Sequence, residues 1–160
     1  MVDLAIIIIN YNTKYLTLKC IDSIYKNKPK NNFEIWLVDN NSADDTVPET
    51  EKNFPEVNII RSDQNLGFAG GNNLALKRVS ADYYLLLNSD TEIISGALDK
   101  LLEFAENKNY VISSCRLIDK HNNFQPNAGE LPNFATILIW LSGIDDIFRK
   151  LFYLPSYQER

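Results

Sequence analysis

The sequence predicts an α/β fold, a mainly parallel sheet with helices on both faces. Three observations lead there. Short β-branched runs alternate with segments of helical periodicity. The first run, Leu4 to Ile9, is apolar at every position, as suits a strand covered on both faces. Each of the first four runs then ends in a polar or glycine-rich cluster, and a parallel sheet gathers such clusters along one edge.

The elements follow in order. Tyr15 to Tyr25 carries Leu18, Ile21 and Tyr25 at helical spacing. Phe33 to Val38 is a second strand. Thr46 to Asn53 is a short helix that tolerates Pro48 in its first turn, where no backbone N–H is needed. Val57 to Ile60 is a third strand, Asn72 to Val79 a third helix and Tyr83 to Leu87 a fourth strand. Gly96 to Asn107 places Leu98, Leu101, Leu102 and Ala105 on one helical face, and Tyr110 to Cys115 reads as a fifth strand. Right-handed crossovers put the helices on both faces. Beyond Cys115, Asp119 to Gln125 reads as a tight polar turn. Phe134 to Leu141 is an apolar run that Ile144, Ile147, Phe148, Leu151 and Phe152 continue at helical spacing. Such a helix needs a cover: a further domain, a second copy meeting it through residues 134–152, or a membrane surface. The expected division is an α/β domain over 1–132 and an apolar helical segment over 133–160.

Composition removes several classes of function. Sixteen basic against twenty-one acidic residues give a net charge of −5 with no basic stripe, which argues against nucleic acid as a partner. Cys20 and Cys115 sit in apolar-periodic segments without zinc spacing, and are expected to be small buried side chains in a reducing compartment. The single histidine, His121, lies in a polar run that suits a surface turn better than a catalytic triad. No basic region precedes the first apolar run, and no stretch reaches the ~20 apolar residues of a membrane span, so the expected location is the cytoplasm. G-x-G-x-x-G, the P-loop and G-x-S-x-G are all absent, which disfavours a dinucleotide-binding dehydrogenase, a P-loop nucleotidase and a serine hydrolase.

The chemistry gathers in the four clusters after the strands. They are Asn10-Tyr11-Asn12, Asp39-Asn40-Asn41-Ser42-Ala43-Asp44-Asp45, Asn65-Leu66-Gly67-Phe68-Ala69-Gly70-Gly71-Asn72-Asn73 and Asn88-Ser89-Asp90. Asp44 and Asp45 suit caps for the following helix. Gly67, Gly70 and Gly71 allow positive φ or close approach to a ligand. Taken singly, each cluster also fits ordinary turn chemistry: Asp39 an Asx turn, Tyr11 burial under the first helix, the glycines a helix start. Four clusters in this order, each after its own strand, resemble glycosyltransferase family 2, in particular its rhamnosyltransferase-like branch. The resemblance runs from Leu4 to about Pro132.

That resemblance implies a GT-A-type, Rossmann-like fold and an inverting, metal-dependent transfer of a sugar from a nucleoside diphosphate, UDP or dTDP, to a hydroxyl acceptor on a glycan or lipid-linked glycan. It implies work in cell-surface polysaccharide biosynthesis, with the enzyme cytoplasmic or peripheral at the inner face of the membrane. Asp39 then contacts base or ribose, and Tyr11 packs on the base. Asn10, Asn12, Asn65, Gly67, Gly71, Asn72 and Asn73 line the nucleotide and its phosphates. Asn88-Ser89-Asp90 takes the D-x-D position, with Asn88 in place of the first aspartate and Asp90 as ligand of Mg²⁺ or Mn²⁺. The family's general base comes from a second half, after an acidic motif. No such motif follows Pro132, and Asp145-Asp146 lies in an amphipathic segment. The expectation is a donor-binding portion that does not transfer sugar alone. Two other readings stay open: a non-catalytic nucleotide-binding module and a sugar nucleotidyltransferase. The basic glycine-rich loop of the latter is replaced here by Asn10-Tyr11-Asn12-Thr13-Lys14.

Overall fold

The computed structural model describes residues 2–108 and 111–125. The chain divides into one unit over Met1–Ser113 and another over Ser114–Arg160. The first unit runs β1 (Val2–Asn10), α1 (Lys14–Lys26), β2 (Phe33–Asp39), α2 (Thr46–Asn53), β3 (Asn58–Arg61), α3 (Gly67–Leu76), β4 (Ala81–Asn88) and α4 (Ala97–Lys108). Its four strands are all parallel, in the order β3-β2-β1-β4.

Alternation along β1 divides the core between the two sheet faces. Leu4, Ile6 and Ile8 join Ile35, Leu37 and Leu87 in one cluster with Cys20, Ile21 and Ile24 of α1 and Leu98 and Leu102 of α4. Ile7, Val38 and Ile60 pack on the other face with Ala75 of α3. Ile6, Ile7 and Ile8 are all fully buried, each contributing about 1.5–3 kcal/mol over an exposed position. The strand is therefore apolar on both faces because helices cover both. β4 differs: Tyr84 and Leu86 remain 41% and 45% exposed, while Tyr83, Leu85 and Leu87 face the α1 and α4 side. α3 lies over β1 and β2.

Three expectations are corrected. α3 starts at Gly67, five residues before the expected Asn72, so the glycine-rich segment forms the helix's first turn. Gly67 makes the sharp entry with φ +68°, and its N–H donates to Asn65 Oδ1 at 2.9 Å. A Cβ on Gly71 would meet Ile9 at 3.1 Å, tighter than an ordinary contact, so glycine eases the close approach of this turn to the end of β1. The fifth strand is not formed over Val111–Cys115; Val111 and Ile112 are 99% and 89% exposed, their apolar character finding no sheet to cover them. Cys20 is buried as expected, but Cys115 is exposed.

In the second unit, β5 (Leu117–Ile118) and β6 (Phe124–Gln125) form an antiparallel hairpin. The expected polar turn joins them. Asp119 Oδ1 accepts the backbone N–H groups of His121 and Asn123, both at 2.8 Å, and Asn122 takes φ +67°. No helix among the described residues is long and apolar enough to cross a membrane. The apolar run 134–152, Asp145-Asp146 and the division at 132/133 lie outside the described residues.

Candidate functional site

The strand order reverses once. The chain moves outward from β1 through β2 to β3, then returns to place β4 on the other side of β1. In open α/β sheets such a reversal leaves a crevice at the carboxyl ends of the two diverging strands. Register pairs Ile9 with Asn88 and Asn10 with Asp39, so all these strand ends lie level on one edge. A cleft of about 400 Å³ opens at the crevice. Tyr11, Thr13 and Leu16 line one side, Asn40, Asn65, Gly67 and Phe68 another, and Asn88-Ser89-Asp90 a third. A second cavity of about 410 Å³ lies at the ends of β2 and β3, lined by Asp39, Asn41, Ser42, Asp44, Arg61, Ser62 and Asp63 among others.

Tyr11, Asn65, Gly67, Asn88 and Asp90 thus meet in the first cleft, and Asp39 faces the second cavity on the same edge. Asn10 is completely buried. Its Nδ2 donates to Asp39 Oδ1 and Ser42 Oγ, both at 2.8 Å. Its Oδ1 accepts Thr13 Oγ at 2.8 Å, Thr17 Oγ at 2.9 Å and Thr13 N at 3.3 Å. Both polar atoms of this amide are therefore engaged inside the fold. Asp39 Oδ2 accepts Ser42 N at 3.1 Å. Asn12, at φ +55°, ties the first loop to the second by accepting Ala43 N at 2.8 Å. Gly71 and Asn72 are buried within α3, and Asn73 is exposed and lines neither cavity.

Asp44 caps two helices at once. Its Oδ1 accepts Thr46 N and Thr46 Oγ at the start of α2, and its Oδ2 accepts Lys14 N at the start of α1. Burial works to raise its pKa, but these hydrogen bonds outweigh it and hold the carboxyl below its ordinary value. Asp45, the residue at the α2 N-cap position, makes no side-chain cap.

The turn carrying Asp90 rests on α1. Cys20 Sγ donates to Asn88 O at 3.7 Å, Ile93 N donates to Ser23 Oγ at 2.8 Å, and Asn27 Nδ2 donates to Ile93 O at 2.8 Å. Lys19 meets Glu92 at 2.7 Å. Burial pushes the Cys20 thiol up to about 12, and the nearby Asp90 and Glu92 charges add to the shift. The thiol is therefore an inert packing group at neutral pH. Asp90 stays exposed at the cleft.

Local reading missed Asn40, Thr13 and Ser89. Asn40 is 1% exposed, and its Nδ2 donates to Gly67 O at 3.1 Å while its Oδ1 has no partner. Its place directly after Asp39 was the available signal. Nothing local marks Thr13, whose hydroxyl lies 3.3 Å from Ser89 Oγ, seventy-six positions away. Among the described residues no group of three or more His, Cys, Asp or Glu side chains could hold a metal.

Known proteins are similar to this chain in sequence and in fold. The model of the family described as glycosyl transferase family 2 matches residues 5–153. The chain is 32% identical over 128 residues to the GalNAc(5)-diNAcBac-PP-undecaprenol beta-1,3-glucosyltransferase of Campylobacter jejuni, covering 77% of this chain and 41% of that protein. The crystal structure of S. aureus TarS 1-349 in complex with UDP-GlcNAc superposes with a TM-score of 0.59 at 27% identity, covering 67% of this chain and 32% of that one. The mannosyltransferase PcManGT of Pyrobaculum calidifontis, in complex with GDP-Man and Mn²⁺, shares the fold with a TM-score of 0.58 at 21% identity, over 64% of this chain and 32% of that one. The chain spans about two fifths or less of each of these proteins.

Proposed function

The chain belongs to glycosyl transferase family 2, and from that premise we propose that it binds the nucleoside-diphosphate sugar of a sugar-transfer reaction in the cleft between the ends of β1 and β4. One observation carries the reading: the Asn88-Ser89-Asp90 turn and the Gly67 end of α3 line the same cleft at the strand-order reversal. Tyr11, 48% exposed on that cleft, offers an aromatic face to a uracil or thymine base. Asp39, held by Asn10 and Ser42, supports the first two loops and reads base or ribose from the adjoining cavity. Asn65 joins Gly67 on the nucleotide side of the cleft, while Asn12 ties the first two loops together and Gly71 and Asn72 hold the first turns of α3, which Asn73 continues.

The exposed Asp90 carboxylate and the Asn88 carbonyl, both on the cleft, are hard oxygen donors of the kind that Mg²⁺ or Mn²⁺ takes. One carboxylate is too few to hold such an ion firmly, so metal binding at Asp90 would depend on the nucleotide. When bound, the ion neutralises charge developing on the leaving diphosphate. The acceptor hydroxyl, on a glycan or lipid-linked glycan, and the base that deprotonates it are assigned to an acceptor part outside these motifs. The rhamnosyltransferase-like branch and a place at the inner membrane face rest on the motifs alone.

Calorimetry of the purified chain with UDP and dTDP, with Mn²⁺ or with chelator, tests this. Mn²⁺-dependent binding of at least one nucleotide is expected, without steady sugar transfer to hydroxyl acceptors. Absence of binding, or equal affinity with and without the ion, would overturn the donor-site assignment.

A further inference from the structure

The hydrogen bonds around Asn10 set the orientation of an amide that stands between Asp39 and the cleft. The backbone N–H of Thr13 only donates, so the atom of Asn10 that faces it is Oδ1. Asp39 as a carboxylate only accepts, so the atom that faces it is Nδ2. Two independent anchors therefore set the same amide orientation. With Oδ1 turned toward α1, the Thr13 hydroxyl gives its proton to Asn10 at 2.8 Å, the shortest of its three contacts, and Thr17, whose hydroxyl lies 3.1 Å from that of Thr13, gives its own proton to Asn10 at 2.9 Å. The longest contact, 3.3 Å between Thr13 Oγ and Ser89 Oγ, then takes its proton from Ser89, because the single Thr13 proton is spent on a shorter one. Ser89 lines the cleft beside Asp90, and what it has left to offer there is oxygen lone pairs.

We infer that Thr13 is a positioning residue, whose hydroxyl passes the polarity set by Asp39 and Asn10 to Ser89, so that Ser89 Oγ meets the ligand as a hydrogen-bond acceptor for a hydroxyl group. This rests on the cleft being the donor site proposed above. The hydroxyl comes from the ribose or from the transferred sugar. Two cavities that look separate at the sheet edge are thereby linked through Asp39, Asn10, Thr13 and Ser89.

Removing the Thr13 hydroxyl leaves Asn10 Oδ1 with Thr17 Oγ and Thr13 N as donors. Thr13 also makes no side-chain cap to α1. Thr13→Val should therefore fold, with a thermal midpoint close to wild type. The probes are UDP, 2′-deoxy-UDP and UDP-glucose, each with Mn²⁺, titrated into wild type, Thr13→Val, Thr13→Ser, Ser89→Ala and the Thr13→Val/Ser89→Ala double variant. Thr13→Val and Ser89→Ala should each weaken binding roughly 3- to 10-fold, the range of one hydrogen bond. The double variant should lose no more than either single one, and Thr13→Ser should retain wild-type affinity. A loss seen with UDP but not with 2′-deoxy-UDP identifies the ribose hydroxyl; a loss confined to UDP-glucose identifies the sugar. Equal affinities of wild type and Thr13→Val for all three probes, or additive losses in the double variant, would overturn the inference and leave the donor site standing. Absence of Mn²⁺-dependent binding in wild type would overturn both.

Discussion

The two cavities at the carboxyl edge are of similar volume, yet their polar groups do different work. Around the β2–β3 cavity, Asp39 and Asp44 accept hydrogen bonds from loops and helix starts up to thirty positions away. Around the β1–β4 cleft, Asp90 is exposed, and its turn is held through backbone groups, the Thr13–Ser89 contact and the Lys19–Glu92 pair. A buried polar group must be satisfied, so the first set is fixed in place by the fold. The second set keeps its side-chain capacity for a ligand. Polar residues that look equivalent at strand ends thus differ in how much of each side chain the fold itself engages.

The largest expected effect falls where the fold engages the side chain most. Asn10→Ala removes two donations and three acceptances from a fully buried position. It should cost about 2–4 kcal/mol of unfolding free energy in a denaturant titration. Unchanged stability with lost nucleotide binding would instead move Asn10 to the ligand side and break the contrast.

At the cleft, Asp90→Ala should bring nucleotide affinity in Mn²⁺ down to the metal-free level, a loss of about tenfold or more. Its stability should shift by no more than about 0.5 kcal/mol, as at an ordinary exposed position. Asn88→Ala should lose less, since a neutral carbonyl is a weaker ligand for a hard cation than a carboxylate. Nucleotide titrations of the three proteins would sharpen the contrast, and equal affinity of wild type and Asp90→Ala with Mn²⁺ would refute it.

The smallest effect concerns pH. Asp44 titrates below the ordinary carboxyl value of 3.8, so its contribution is present above the unfolded pKa and is lost as pH falls through the folded one. Wild type should be more stable than Asp44→Asn at pH 7, and the gap should narrow as pH drops below 3.8. Denaturation midpoints across that window provide the measurement. A gap that stays constant down to low pH would show that Asp44 does not couple protonation to the two helix starts.

Much of the scaffold was legible because it is local. The unbroken apolar run of β1 announced cover on both faces, and the β–α alternation placed every polar cluster at one edge. The entry of α3 was misplaced because glycines have poor helix propensity. Here the positive φ of Gly67 and the close approach of Gly71 to Ile9 favour them, and no neighbour in sequence signals that approach. Val111 and Ile112 have strand-like composition, but a strand needs an edge to pair with, and here they are exposed.

By itself, then, the sequence determined the fold class, the edge on which a site forms and the residue types gathered there, because periodicity and turn chemistry act over a few positions. Only the tertiary structure decided which polar groups remain open to a ligand. That depends on partners far away in sequence: Asp39 for Asn10 at twenty-nine positions, Ser89 for Thr13 at seventy-six. A hydrogen-bonding group has few places to fill, and the fold, by setting who stands within three ångströms of it, decides whether any is left.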